Sequence, residues 1–242
     1  MRTLVVFSAL FLFCACKKEV NRPLSIQLGD ETNMVVDYTP VNTGLNQLGI
    51  PYSIDFDQDG VNDLALFSDI HHSFIIGFSG ESYIKSLHDG CAVVVDVIPD
   101  TTFVHYSTQF TQNQNNDLMA IVSTTYSCQR EFPVSQVYSS GEISKPRPLQ
   151  KATALNRYDE FRSGTFYLKR ASVSTFESTG VFDQGYEYHD YIAYLYPCAY
   201  FPEEVYRYIG IRLNTADGTR LGWVKIAFDG ESIQLNNWAI QE

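Results

Sequence analysis

From residue 34 onward, short apolar runs alternate with turn-forming residues. Val, Ile, Tyr and Phe gather in stretches such as 52–56, 64–67, 73–78, 92–98, 102–106, 119–124, 165–171, 188–196, 208–213, 221–228 and 232–240. Gly, Pro, Asn and Asp separate them. β-branched and aromatic side chains fit a pleated surface, and runs of this length between turn residues read as strands. Residues 149–157 and 202–206 are the only stretches that suggest a short turn of helix. Many strands with little helix between them predict an all-β protein. The expectation is a single antiparallel β-sandwich-like domain over 34–242, with a barrel as the alternative.

The last 35 residues carry the clearest pattern. Ile209, Ile211 and Leu213 alternate with Tyr208, Gly210 and Arg212, which predicts one apolar strand face. A turn over Asn214-Thr215-Ala216-Asp217-Gly218-Thr219 leads to a returning strand, where Val224, Ile226 and Phe228 alternate with Trp223, Lys225 and Ala227. Asp229-Gly230 turns the chain again, because both residues tolerate positive φ. Asn236-Asn237 breaks the next alternation, as a bulge would. Together these predict a three-stranded antiparallel meander. No repeat of 20–50 residues recurs, which disfavours a propeller or solenoid.

The N-terminus has a different character. Arg2 precedes an apolar run over residues 4–13, and Ala15 stands before Cys16-Lys17-Lys18-Glu19. The run is too short to span a bilayer, which takes about 20 residues, but it suits a signal peptide. These residues resemble the start of bacterial lipoproteins, whose signal peptidase cuts before a cysteine that then receives acyl chains. The resemblance implies a signal peptide over 1–15, lipid on Cys16 rather than Cys14, and anchorage to a bacterial outer membrane at its periplasmic or cell-surface face. Lys17-Lys18-Glu19 is similar to the charged export tag of surface lipoproteins in the Bacteroidetes group. Phe13 and Cys14 depart from the usual Leu and then Ala or Ser. Residues 16–33, polar and containing Pro23, are expected to form the lipidated cysteine and a flexible tether.

Charge and cysteine content narrow the partners. Without Arg2, sixteen Lys and Arg face twenty-eight Asp and Glu, a net −12 over the 227 residues from Cys16 onward. Such a chain has no electrostatic reason to seek nucleic acid or an anionic lipid face. Cys91, Cys128 and Cys198 show no C-x-x-C or zinc-type spacing. Export permits one disulfide among them, in any of three pairings, and buried free thiols are the alternative.

One stretch carries chemistry. In Asp55-Phe56-Asp57-Gln58-Asp59-Gly60-Val61-Asn62-Asp63-Leu64, carboxylates stand at positions 1, 3, 5 and 9, with glycine at position 6 where a sharp turn is needed. Asp55, Asp57, Asp59, the Val61 carbonyl and Asp63 can then converge on one cation. Oxygen-only ligands in this number suit Ca²⁺. An Asx-rich turn that binds nothing is the alternative. Position 12 is Leu66 rather than a bidentate Glu, so the loop departs from an EF-hand. It resembles the D-x-D-x-D-G-x-x-D calcium loops between strands of exported β proteins. With Gly222-Trp223-Val224 and Asn237-Trp238-Ala239, it also resembles an uncharacterised group of exported bacterial β proteins that open with an Asp-rich loop and close with a Gly-Trp hairpin. Asp69 is a further candidate ligand or a solvated turn residue.

Other constellations are weaker. His71 and His72 are adjacent and would point to opposite faces of a strand. His88, His105 and His189 have no partner that sequence assigns. Gly77-Phe78-Ser79-Gly80 falls short of G-x-S-x-G, and no H-E-x-x-H or phosphate-binding glycine loop is present. Tyrosines crowd residues 186–208. Tyr186, Tyr188, Tyr194 and Tyr196 sit two apart in pairs, where a sheet face could present them to a glycan or a surface protein, or simply pack them. The expected role is therefore a non-catalytic, membrane-anchored binding or structural module with a Ca²⁺-stabilised loop. A carbohydrate-binding lipoprotein and a glycan-degrading enzyme are the alternatives.

Overall fold

A computed structural model describes residues 22–43, 50–73, 77–112, 118–127, 136–172, 180–182, 186–192 and 201–242. In chain order the strands are β1 (Ser25–Gln27), β2 (Met34–Asp37), β3 (Val41–Asn42), β4 (Tyr52–Ile54), β5 (Leu64–Ser73), β6 (Gly77–Ser86), β7 (Cys91–Gln112), β8 (Leu118–Ser127) and β9 (Gln136–Pro146). They continue with β10 (Ala154–Asn156), β11 (Phe161–Arg162), β12 (Thr165–Ser172), β13 (Gly180–Phe182), β14 (Tyr186–Ile192), β15 (Arg207–Thr215), β16 (Gly218–Phe228) and β17 (Ile233–Gln241). The protein is all-β, as the residue pattern predicts. Residues 149–157, a helical candidate, instead hold an isolated bridge at Leu149 and strand β10. Their alternation fits that outcome, since Leu155 is buried between exposed Ala154 and Asn156. Residues 202–206 form no helix either.

Two sheets face each other across the main core. One follows the order β7-β15-β16-β17-β2, and the other the order β12-β6-β5-β4. Val93, Ile209, Ile211, Val224, Ile226 and Phe228 from the first meet Ile54, Leu64, Leu66, Ile84, Phe166 and Leu168 from the second. Among the described residues no sheet closes on itself. The C-terminal meander is β15, β16 and β17, with Ile211 opposite Gly222 and Val224 opposite Trp238. Its register slips between Lys225 and Ile226, which leaves Asn236 as the extra residue of the expected bulge. At Gly222 a Cβ would stand 2.4 Å from the Ala239 carbonyl oxygen, so only glycine lets β17 lie this close.

The other face of this sheet is also buried. Trp223, Tyr208, Val94 and Ala239 pack with Leu28 and Leu155, which the two-stranded β1-β10 sheet lays over them. Alternation alone assigns Trp223 and Tyr208 to the solvent side. A third layer covers them instead, and burying such a side chain stabilises by about 1.5–3 kcal/mol. The covering strand comes from the segment expected as tether. Residues 22–28 are part of the fold, with Ser25 opposite Asn156 and Leu28 only 1% exposed.

The strands are antiparallel with one departure from expectation. β14 runs parallel to β8, with Tyr188 opposite Ala120. β7 pairs with β9 from Val95 to Val104, through a register irregularity at Asp100/Thr101, and with β8 from Phe103 to Gln112.

Candidate metal centre

The loop over residues 55–63 links β4 to β5, and its ends are fixed before its tip is shaped. Ile54 pairs with Leu64, and the Asp63 N–H donates to the Ile54 carbonyl at 2.8 Å. Phe56, wholly buried, meets Trp238 edge-on at 5.2 Å between ring centroids. The loop is therefore bolted to the core at its second residue. Between these points the chain turns through left-handed conformations at Gln58 (φ 60°) and Gly60 (φ 89°). The expected glycine position does supply the turn.

The carboxylates shape the loop from inside. The Gly60 N–H donates to Asp55 Oδ2 at 2.8 Å, and the Phe56 N–H donates to Asp63 Oδ2 at 2.7 Å. Asp55, Asp57 and Asp63 then each bring an oxygen within 4.8 Å of the others. Asp55 Oδ1 and Asp57 Oδ1 are buried and accept no hydrogen bond. A buried polar atom without a partner costs about 1–3 kcal/mol, and like charges side by side add to that. A cation removes both costs. Three carboxylate oxygens this close could share one divalent cation.

Asp63 is the buried member, only 3% exposed. Burial pushes its carboxyl above the usual carboxylate range, opposed by the Phe56 N–H and by His88, while the Asp57 charge pushes the same way as burial. His88 Nε2 lies 2.7 Å from Asp63 Oδ1. The Gly90 N–H donates to His88 Nδ1 at 3.1 Å, so the ring proton sits on Nε2 and points at the carboxylate. Sequence reading leaves His88 without a partner. The signal lies in strand register: Leu64 opposes Ser86, which brings the residue before β5 beside the turn after β6.

Asp59 and Asp69 are not among the three clustered carboxylates. Asp59 is exposed and outside the group, its Oδ1 accepting from the Val61 N–H at 2.8 Å. The Val61 side chain is exposed, and Leu66 is wholly buried in the core. Asp69 is not in a turn but in β5, opposite Glu81. Tyr186 and Tyr188 lie in β14, while Tyr194 and Tyr196 lie outside the described residues. Cys16, Cys128 and Cys198 also lie outside them. Cys91 is a buried free thiol, and burial pushes it up to about 12, which makes it a poor nucleophile. Gly77-Phe78-Ser79-Gly80 is the start of β6, not a strand-to-helix elbow.

A cleft of about 700 Å³ is lined in part by Arg22, Gln27, Asp30, Asn33 and Glu242. The Arg22 guanidinium is held inside the protein by the Glu242 carbonyl (2.6 Å), the Asp217 carbonyl (3.0 Å) and Asp217 Oδ2 (2.7 Å). No helix among the described residues is long and apolar enough to cross a membrane. Compared with protein families, curated proteins and solved structures, the chain matches none. The loop geometry therefore carries the functional reading.

Proposed function

We propose that this protein is an exported, lipid-anchored and non-catalytic binding or structural module whose 55–63 loop is stabilised by Ca²⁺. The observation that carries the metal reading is the pair of buried, unpartnered oxygens on Asp55 and Asp57 beside Asp63. Asp55, Asp57 and Asp63 would hold the ion. Asp59 and the Val61 carbonyl, which the spacing also nominates, would complete the shell if Asp59 gives up its turn to the Val61 N–H. The ion supplies charge neutralisation and cross-linking, not chemistry on a substrate. The apolar run before Cys16 supports the anchor.

Affinity is modest, on the order of 10⁻⁴–10⁻³ M, as in extracellular modules that lack a full carboxylate cage. At ten times the dissociation constant, binding stabilises by about 1.4 kcal/mol. Melting in millimolar Ca²⁺ should therefore exceed melting in EDTA by a few degrees. Equal melting temperatures in the two buffers would reduce the loop to an acidic turn and remove the metal from the reading.

A further inference from the structure

Strand directions place several features at one end of the sandwich. β15 rises to the turn at 215–218, β16 descends from it, and β17 returns to the same end, where Gln241 pairs with Met34. β7 starts there, with Cys91 opposite Leu213, and β6 arrives there. Leu64 opposes Ser86, so the 55–63 loop crowns this end too. The Asn214 N–H donates to the Gly90 carbonyl at 2.8 Å, joining the turn after β6 to the turn after β15. Arg22, the first described residue, is pinned at this same end to Asp217 and Glu242. Val205, Tyr206 and the Asp229-Gly230 turn lie at the other end, where the Glu204 N–H meets the Phe228 carbonyl.

Chain length then decides which end can meet a membrane. Six residue steps separate Cys16 from Arg22, a reach of about 20 Å at full extension. β16 alone has 11 residues, and a strand of that length spans about 35 Å. The opposite end is out of reach of the lipid that would hold Cys16. The near end carries two exposed apolar side chains beside the loop. Val61 is 56% exposed and Leu87 40%, and the Leu87 N–H donates to the Asp63 carbonyl at 2.8 Å. Leu24, two residues after Arg22, is 52% exposed. Around them stand the exposed carboxylates of Asp59 and Asp89.

We infer that the end bearing the 55–63 loop is a lipid-facing surface, with Val61 and Leu87 resting on the leaflet that holds the anchor. The chemistry fits a zwitterionic leaflet such as phosphatidylethanolamine, which carries no net charge to repel the exposed carboxylates, so the apolar pair supplies the contact. This inference rests on the proposed lipid anchor but does not need an ion in the loop. It also sends β7, β8 and β14 away from the membrane, because β7 begins at this end and runs from it.

The test uses the full-length protein purified from membranes and reconstituted in phosphatidylethanolamine vesicles with brominated acyl chains. Trp223 and Trp238 are buried, so wild type gives the unquenched baseline. Val61→Trp and Leu87→Trp should each lose roughly half of the added emission at the headgroup–acyl boundary, and Val205→Trp none. Intact mass reports acylation separately. Acylated protein in which Val205→Trp is quenched, or in which none of the three is, overturns the orientation and leaves the anchor standing. A mature mass without acyl chains overturns the anchor and the inference with it.

Discussion

Two acidic turns share one end of the sandwich, and the chain answers the charges of only one. At the turn between β15 and β16, Asp217 accepts from the Thr215 hydroxyl and from Arg22 and Arg220, at 2.7 and 3.0 Å for the two guanidinium contacts. The Thr215 hydrogen bond, then Arg22 and Arg220, hold its carboxyl well below the usual carboxylate range. Among the described residues, His88 and no arginine or lysine pairs with the clustered carboxylates of the 55–63 loop. Asp55 and Asp57 each leave a buried oxygen without a partner, and Asp63 is pushed upward. One turn is complete as a protein structure. The other holds three carboxylates within 4.8 Å of one another, two of them with a buried oxygen that has no partner.

The largest effect should come from Asp63→Ala. The substitution removes the acceptor for the Phe56 N–H and for His88 Nε2–H, and the first of these is buried. The expected loss is about 2–4 kcal/mol in urea denaturation in EDTA, and larger in Ca²⁺, where a proposed ligand is removed as well. A loss below about 0.5 kcal/mol would show that the loop is held by Phe56 packing alone.

Asp217→Ala should cost about 1–3 kcal/mol, because Arg22 stays buried with only carbonyl partners. That cost should be the same with and without Ca²⁺, which separates this turn from the loop. The pH dependence has a definite sign. A carboxyl whose folded value is depressed contributes stability above its unfolded value of 3.8, and that contribution fades as pH falls toward the folded value. Wild type should therefore lose stability more steeply than Asp217→Ala below pH 3.8. Parallel curves would remove the ion pair from the account. Asp63 works in the opposite sense: its raised value makes the metal-free fold less stable as pH rises through it.

Asp57→Asn sharpens the contrast most directly. In EDTA it removes one of three crowded charges, a relief of about 0.8 kcal/mol per pair at 5 Å in water's dielectric. Its melting temperature without Ca²⁺ should rise slightly above wild type, while the calcium-dependent increment disappears. Neutralising Asp217 should do the reverse and only destabilise. If Asp57→Asn melts lower than wild type in EDTA, the loop carboxylates are already satisfied and the comparison fails.

Much of this was legible in local pattern. The meander, the bulge at Asn236 and the turn at Gly60 follow from alternation and from residues that tolerate special backbone conformations. The third layer was not, because nothing in Trp223 or Tyr208 says that β1 and β10 will cover them. Polar residues with a proline predict a tether as far as residue 33, yet Arg22 joins Asp217 across 195 positions. The same limit applies to the two acidic turns. Asp217-Gly218 and the 55–63 loop look alike as turn formers, and only long-range partners tell them apart. His88 was missed for that reason too: its partner comes from the register of β5 and β6.

The smallest effect concerns the residue on which spacing and structure disagree. Position 5 of the loop, Asp59, is a central ligand by spacing. The structure leaves it exposed, capping the Val61 N–H and outside the group formed by Asp55, Asp57 and Asp63. In EDTA, Asp59→Ala removes one solvent-exposed turn hydrogen bond and should cost no more than about 0.5 kcal/mol. In Ca²⁺ the two descriptions diverge. If the ion sits among the three clustered carboxylates with water filling the remaining positions, Asp59→Ala should keep most of the calcium-dependent rise in melting temperature. If the ion draws Asp59 away from the Val61 N–H, the rise should vanish as it does for Asp57→Asn. The arrangement of the three carboxylates favours the first outcome, because their oxygens already converge without it. Calcium titration by calorimetry on Asp59→Ala beside wild type checks this, with a several-fold weakening expected and complete loss of binding counting against it.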